Sequence, residues 1–300
     1  MRRVHVRVPA TTANIGPGFD CLGCALSLYA GFTCEILDEP GRLEITGCPE
    51  IYRNEDNLFV RAYRRAEREM DVRPASIRVD IQTDVPVSRG LGSSASLLAG
   101  GVAAANALNG GLLSRQTLVE LCNEMEGHPD NIAPAVLGGM CASFVEDGKP
   151  VTVQVDVAEN VGFIALIPNF ETETKAMRAV LPKEIPFADA VFNSSRLAVM
   201  LHGFERGDLE LIAKALDDRL HQPYRRPLIH EYFRAEAAAK EAGCAAFCIS
   251  GSGSTCLGVC EASGAETVAE KIQQALSDSQ YEWRVRALKV DREGSVCTFA

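Results

Sequence analysis

The chain lacks the features that would take it into a membrane, onto nucleic acid or into an oxidising compartment. No run of roughly 18 apolar residues occurs in its 300 positions, so no membrane partner is expected. The opening Met1-Arg2-Arg3-Val4-His5-Val6 has no apolar stretch after its charges, and the expected location is cytoplasmic. Basic residues are outnumbered, 30 against 40, giving a net charge of -10 with no basic cluster, so nucleic acid is not an expected partner. Internal repeats, low-complexity tracts and long linkers are also missing, which means that any two domains must be closely joined. The assembly expected is a homodimer.

Cysteine is plentiful, but its 11 copies are odd in number and lie among apolar neighbours, as in Gly139-Met140-Cys141-Ala142. That placement reads as reduced core residues rather than a disulfide framework. Cys21-Leu22-Gly23-Cys24 has redox spacing without a thioredoxin-like setting. Cys244, Cys248, Cys256 and Cys260 could be drawn as zinc ligands, yet apolar residues and a glycine-rich turn separate them. Both groups read as small hydrophobes.

Apolar and charged residues make up 47% and 23% of the chain, enough for one large core or two moderate ones. Val4, Val6 and Val8 alternate with His5 and Arg7, and Ile77, Val79 and Ile81 with Arg78, Asp80 and Gln82, which predicts two half-buried strands. Between them Leu58, Phe59, Ala62, Tyr63, Ala66 and Met70 recur at helical spacing. A further helix is predicted over Ala95 to Leu108, and another after the N-cap Ser114, ended by Gly127-His128-Pro129-Asp130. A hairpin around Asp147-Gly148 leads to a strand over Phe163 to Ile167. Helices follow near Thr174 to Leu181, Ala188 to Arg206, Asp208 to Leu216 and Glu231 to Glu241. Strands near Ala245 to Ile249, Thr255 to Cys260 and Arg284 to Lys289, around a helix at Ala265 to Leu276, complete a mixed α+β fold with a boundary near residue 160.

The informative stretch is Pro86-Val87-Ser88-Arg89-Gly90-Leu91-Gly92-Ser93-Ser94-Ala95-Ser96, a glycine loop running into a helix. Glycines there let the backbone wrap a phosphate while free N–H groups and the helix dipole face its charge. The pattern is neither a Walker loop, since no lysine opens the helix, nor a dinucleotide fingerprint. Taken alone it divides evenly between an anion cradle and a tight turn with capping serines. Glu126, in the next helix, shifts the balance towards the cradle. A magnesium ion bridging two phosphates takes one or two protein oxygens, which Ser94 and Glu126 would supply, whereas Glu124 points to another, solvated face.

Pro9-Ala10-Thr11-Thr12-Ala13-Asn14-Ile15-Gly16-Pro17-Gly18-Phe19-Asp20, the glycine loop, Glu126-Gly127-His128-Pro129-Asp130-Asn131 and the late Ser250-Gly251-Ser252-Gly253-Ser254-Thr255 follow one another in order. In these motifs the chain resembles the GHMP kinase superfamily and, within it, the homoserine kinases. The resemblance implies a two-domain GHMP kinase fold: residues 1–160 as a ribosomal-protein-S5-domain-2-like ATP-binding domain and 161–300 as a ferredoxin-like α/β sandwich. It implies Pro86 to Ser96 as the ATP phosphate loop, Asn57 in the adenine pocket, and Ser94 and Glu126 as Mg2+ ligands. It also implies L-homoserine contacts from Asn14, Asp20, Asn131, Arg178 and Arg225, with Asn131, Glu126 and Ser94 serving the transfer.

The residue types suit a zwitterionic amino acid: arginines to grip a carboxylate with paired hydrogen bonds, and Asp20 to accept from an ammonium. On the residues alone the preferred readings are Asp20 as a turn cap, Asn14 as a left-handed turn residue, and the arginines as solvated helix charges. His128, at a helix end before proline, reads as a backbone support rather than a base. The resemblance implies a mechanism with no strong base, which a loose phosphoryl-transfer transition state tolerates because it needs alignment more than early proton removal. Ser254 stands where many relatives carry proline, which alters the rigidity of that loop. Other acceptors of the superfamily, of mevalonate or shikimate type, and a non-catalytic metabolite-binding relative are the alternatives.

Overall fold

The computed structural model describes residues 2–299. Its strands are β1 (Arg3–Ala13), β2 (Leu22–Ile36), β3 (Leu43–Thr46), β4 (Ile77–Thr83), β5 (Met140–Glu146), β6 (Lys149–Val155), β7 (Val161–Pro168), β8 (Ala246–Ile249), β9 (Cys256–Glu261), β10 (Trp283–Leu288) and β11 (Val296–Phe299). Its helices are α1 (Leu58–Glu69), α2 (Ser93–Leu108), α3 (Arg115–Glu126), α4 (Pro129–Leu137), α5 (Thr174–Ala179), α6 (Phe187–Arg206), α7 (Leu209–Ala215), α8 (Gln222–Arg225), α9 (Tyr232–Ala242) and α10 (Ala265–Ala275). No helix among the described residues is long and apolar enough to cross a membrane.

The first sheet runs β11-β1-β2-β4-β3, with the β5–β6 hairpin branching from β2. Period-two patterning decides which face is buried: Val4, Val6 and Val8 of β1 and Ile77 and Val79 of β4 are fully buried while Arg3, His5 and Arg78 stay exposed. A bulge between Pro9 and Ala10 shifts the β1–β2 register beside the first polar motif, where proline has no N–H to give the ladder. The helix α2 is buried almost all round, which its small residues from Ala95 to Ala105 permit, and it lies between the sheet and the helices α1 and α3. Ser114 caps α3 by accepting from Thr117 N at 3.1 Å, and Gly127 closes that helix in a left-handed conformation. The segment expected only as a terminator also starts α4, since the fixed φ of Pro129 suits a first helical position.

At Val161 the chain enters a second, antiparallel sheet of order β10-β7-β9-β8. All eight residues of β7 are buried because both of its faces are covered. Phe163, Ala165 and Ile167 join the larger core with Phe204 of α6 and Ile212 of α7, while Ile164 and Leu166 join a smaller one with α9 and α10. The four late cysteines divide the same way: Cys248 faces the larger core, and Cys244, Cys256 and Cys260 the smaller, so they do not converge on one point. Finally β11 returns to the first sheet, pairing Val4 with Phe299. The predicted helices and late strands fall within a few residues of their observed bounds, whereas β2, β3, β11 and α8 have no predicted counterpart.

Candidate active site

A cavity of about 830 Å³ opens between the glycine loop, the first polar motif and α5, a size typical of small-molecule sites. The loop that enters it is held on every side. Arg89 donates through Nε to Pro168 O at 3.0 Å and through Nη2 to Asn169 O at 3.2 Å, and pairs with Glu171 at 3.0 Å, fastening the loop to the end of β7. The late serine motif docks behind it: Thr255 N donates to Arg89 O at 3.1 Å, Ser250 Oγ to Gly90 O at 2.6 Å, and Gly251 N to Ala13 O at 2.8 Å. Ser254, which stands where many relatives carry proline, is anchored by its hydroxyl, which donates to Phe170 O at 2.6 Å.

Gly92 is the N-cap of α2 at φ 68°, and a Cβ there would sit 1.9 Å from Thr11 Oγ1 and 3.2 Å from Asn131 Oδ1. Only glycine fits, and a glycine cap offers no side-chain acceptor, so the first amides of α2 have no side-chain cap. Gly92, Ser93, Ser94 and Ser96 all line the cavity. Open amides and a helix N-terminus directed at a cavity form an anion cradle.

Ser94 Oγ donates to Glu126 Oε2 at 2.7 Å, so these two oxygens meet although 32 residues separate them. A hydroxyl and one carboxylate beside open amides are the hard-oxygen set that suits a magnesium ion sharing its remaining positions with phosphate and water. The residues present therefore fit that ion. Glu124, expected to be solvated, is half-exposed and pairs with Arg65 at 2.9 Å on another face.

The opposite lining is polar. Asn14 and Asp20 both take left-handed backbone conformations, φ 56° and 54°, and Asp20 N donates to Asn14 Oδ1 at 2.7 Å. Ser88 in the glycine loop is a third such residue, at φ 55°. Non-glycine residues in this region carry strain that the surroundings must hold, and such strain gathers at binding sites. Arg178 grips Asp20 with two parallel bonds, Nη1 to Oδ2 at 2.9 Å and Nη2 to Oδ1 at 2.7 Å, which raises the arginine's affinity for its proton.

Arg225 differs. It is 1% exposed, and its guanidinium donates to Met177 O at 3.1 Å and Gly251 O at 3.3 Å but meets no carboxylate among the described residues. Burial, reinforced by the nearby Arg178, pushes it down to about 10. Asn131 is oriented by Thr11, whose Oγ1 donates to Asn131 Oδ1 at 2.8 Å. His128 Nδ1 lies 3.1 Å from Asp130 Oδ1, and that hydrogen bond raises its pKa.

Asn57 lines the cavity, and each end of its amide makes one bond to the wall. Its Oδ1 accepts from Phe59 N at 3.0 Å, capping α1, and its Nδ2 donates to Tyr52 O at 2.9 Å. It therefore shapes the pocket wall, and the second lone pair of its carbonyl oxygen remains for a base. Pro86, Leu91 and Ala95 are absent from the lining; Leu91 and Ala95 are fully buried core side chains, and the Leu91 carbonyl accepts from Thr11 N at 3.2 Å. Sequence reasoning missed the apolar wall formed by Phe32, Cys48, Tyr52, Leu58, Ile81 and Leu97, and the polar contributions of Thr174 and Ser252. Of these, Ser252 lay inside a recognised motif and Thr174 beside Arg178, so both could have been found.

The profiles of the GHMP kinases N terminal domain and the GHMP kinases C terminal match residues 57–139 and 200–278. A homoserine kinase of Clostridium botulinum is 41% identical over 98% of each chain. The chain belongs to the GHMP kinase family. A homoserine kinase of Nostoc punctiforme is 40% identical over 97% of each chain. The crystal structure of a homoserine kinase from Cytophaga hutchinsonii superposes with a TM-score of 0.91 at 26% identity, covering 99% of this chain and 98% of that one. A mevalonate kinase structure, with a TM-score of 0.72 at 13% identity, shares the fold alone. This GHMP kinase thus has the two-domain fold of its family, and GHMP kinases use ATP.

Proposed function

We propose that this chain transfers the terminal phosphoryl group of ATP to the side-chain hydroxyl of L-homoserine, giving O-phospho-L-homoserine for threonine biosynthesis. The observation that carries the choice of acceptor is Arg225, a buried cation with no acidic partner among the described residues, set beside the Asp20–Arg178 pair. A buried charge left unpaired is costly, so a carboxylate brought by the substrate supplies the missing partner. Asp20 accepts from the substrate ammonium, in exchange for part of its contact with Arg178. Near-full-length relatives at 38–41% identity that are themselves homoserine kinases support the same acceptor.

The amides that open α2 would hold the triphosphate, and Ser94 and Glu126 would supply the protein oxygens for Mg2+. When bound, the ion neutralises phosphate charge that builds towards the transition state. Asn131, fixed by Thr11 and close to Gly92, aligns the acceptor oxygen. No strong base is needed, because alignment and charge neutralisation supply most of the acceleration in this reaction class.

Turnover of purified protein with ATP and a small panel of acceptors tests the proposal. L-homoserine should be phosphorylated, while 4-hydroxybutyrate, which lacks the ammonium, and 3-aminopropan-1-ol, which lacks the carboxylate, should be poor. Full activity on mevalonate with none on L-homoserine would reject the acceptor. ATP binding with no transfer to any of them would favour a binding protein.

A further inference from the structure

One fully buried group takes no part in the chemistry above. His221 precedes α8 and lies between the two parts of the acceptor pocket. Its Nε2 is 3.0 Å from Gly16 O, in the turn that carries Asn14 and Asp20, and its Nδ1 is 3.3 Å from Arg225 Nη1. A carbonyl can only accept and a guanidinium can only donate, so the two contacts fit a single state of the ring: neutral, with the proton on Nε2 and a lone pair on Nδ1. Burial favours that same neutral form, pushing the pKa down to about 4 against the pull of Asp218.

The surroundings hold the ring in place. Asp218 accepts from the backbone N–H groups of Leu220 at 2.9 Å, His221 at 3.0 Å and Gln222 at 2.7 Å, and from Asn193 Nδ2 at 2.6 Å. This carboxylate fixes the turn and lies 3.6 Å from His221 Nε2. On the other side Phe19 stacks on the imidazole with centroids 5.2 Å apart and lies beneath Arg225, 5.1 Å from its guanidinium carbon. One imidazole thus joins the turn that presents Asp20 to the arginine that lacks a carboxylate. A carboxylate at this position would instead satisfy Arg225 within the chain and remove its attraction for a ligand.

We propose that His221 is a positioning residue for the acceptor: by donating to Gly16 and accepting from Arg225, it sets the distance between the ammonium and carboxylate grips so that one small amino acid spans both. The inference rests on the reading of Arg225 as the carboxylate grip.

The test is steady-state kinetics of His221→Leu and His221→Gln, with calorimetric binding of L-homoserine to these, to Arg225→Gln, and to the double variant that combines His221→Leu with Arg225→Gln. His221→Leu removes both contacts and should raise KM for L-homoserine about ten-fold, with KM for ATP and kcat within about two-fold. His221→Gln carries an acceptor and a donor on one amide and should recover most of the loss. With Arg225 already replaced, the His221→Leu change should weaken binding by less than it does in the wild-type background, since only the bond to Gly16 remains to be lost. If His221→Leu does not fold, His221→Asn, whose shorter amide reaches only one partner, carries the same expectation. An unchanged KM for L-homoserine, a parallel loss for ATP, no rescue by Gln, or a full additional loss without Arg225 would each overturn the inference. If the wild-type protein turns over L-homoserine but a variant gives one of those results, this inference alone fails; if the wild type does not, the acceptor assignment fails with it.

Discussion

Glu126→Gln separates the chemistry of the site from its architecture. Glu126 Oε2 is 2.7 Å from Ser94 Oγ, and the glutamine amide is nearly isosteric and keeps an oxygen that can accept that hydroxyl. Glu126 is half-buried and ends α3 above the Gly127 cap, which the substitution leaves intact, so stability should change by no more than about 0.5 kcal/mol. What disappears is the carboxylate that meets Ser94 beside the open amides of α2. Removing one preorganised group that stabilises transition-state charge costs about 2.7–4 kcal/mol, or roughly 10²–10³ in kcat. Nucleotide affinity should fall much less, because the amides that open α2 remain. The assay is ADP release with saturating ATP and L-homoserine across a magnesium titration, beside calorimetric nucleotide binding and a melting curve. A kcat within about three-fold of wild type, at unchanged magnesium dependence, would refute the role given to this residue.

Three further substitutions probe the supports of the site. Gly92→Ala forces a Cβ to within 1.9 Å of Thr11 Oγ1 at φ 68°, with a left-handed penalty of about 1–2 kcal/mol before the clash; melting temperature and kcat/KM should both fall, and wild-type values in both would show that the loop relaxes freely. Asn57→Ala removes the α1 cap and the bond to Tyr52 O, so it should cost about 1 kcal/mol in denaturant unfolding and raise KM for ATP with little change in KM for L-homoserine. The bond to Asp130 raises His128 above its usual 6.5, so protonated His128 adds stability that is complete below that value and lost as pH climbs through the raised one. His128→Gln should therefore lower the melting temperature more near pH 6 than near pH 9, and an equal or reversed difference would contradict the assignment.

Local chemistry was legible in the sequence where it is contiguous. The turn from β4 into α2, the Ser114 cap and the Asp147-Gly148 hairpin each carry their cause within a few residues. The first half of the long strand β2 was not, because residues 22–26 are buried on both faces and show no alternation. Its second half does alternate, with Ala30, Phe32 and Cys34 buried between Gly31, Thr33 and Glu35, a signal that sequence reasoning missed. The return of β11 to the first sheet also has no local signal, since Val296 to Phe299 pair with residues near the other end of the chain. At the site, motif order indicated Ser94, Glu126, Asp20 and Arg178 as members. Their mutual contacts, such as the Arg178–Asp20 pair across 158 positions, come only from the fold. Asn57 illustrates the opposite case: its place was legible, while the commitment of its amide to capping α1 appears only in three dimensions.

The most direct measurement is a crystal structure with a non-hydrolysable ATP analogue, magnesium and L-homoserine. The phosphate tail should lie against the amides that open α2, the metal should bond to Ser94 Oγ and Glu126, and the acceptor hydroxyl should face the terminal phosphate from between Asp20 and Arg225. A tail bound elsewhere, or a metal that touches neither side chain, would contradict this arrangement.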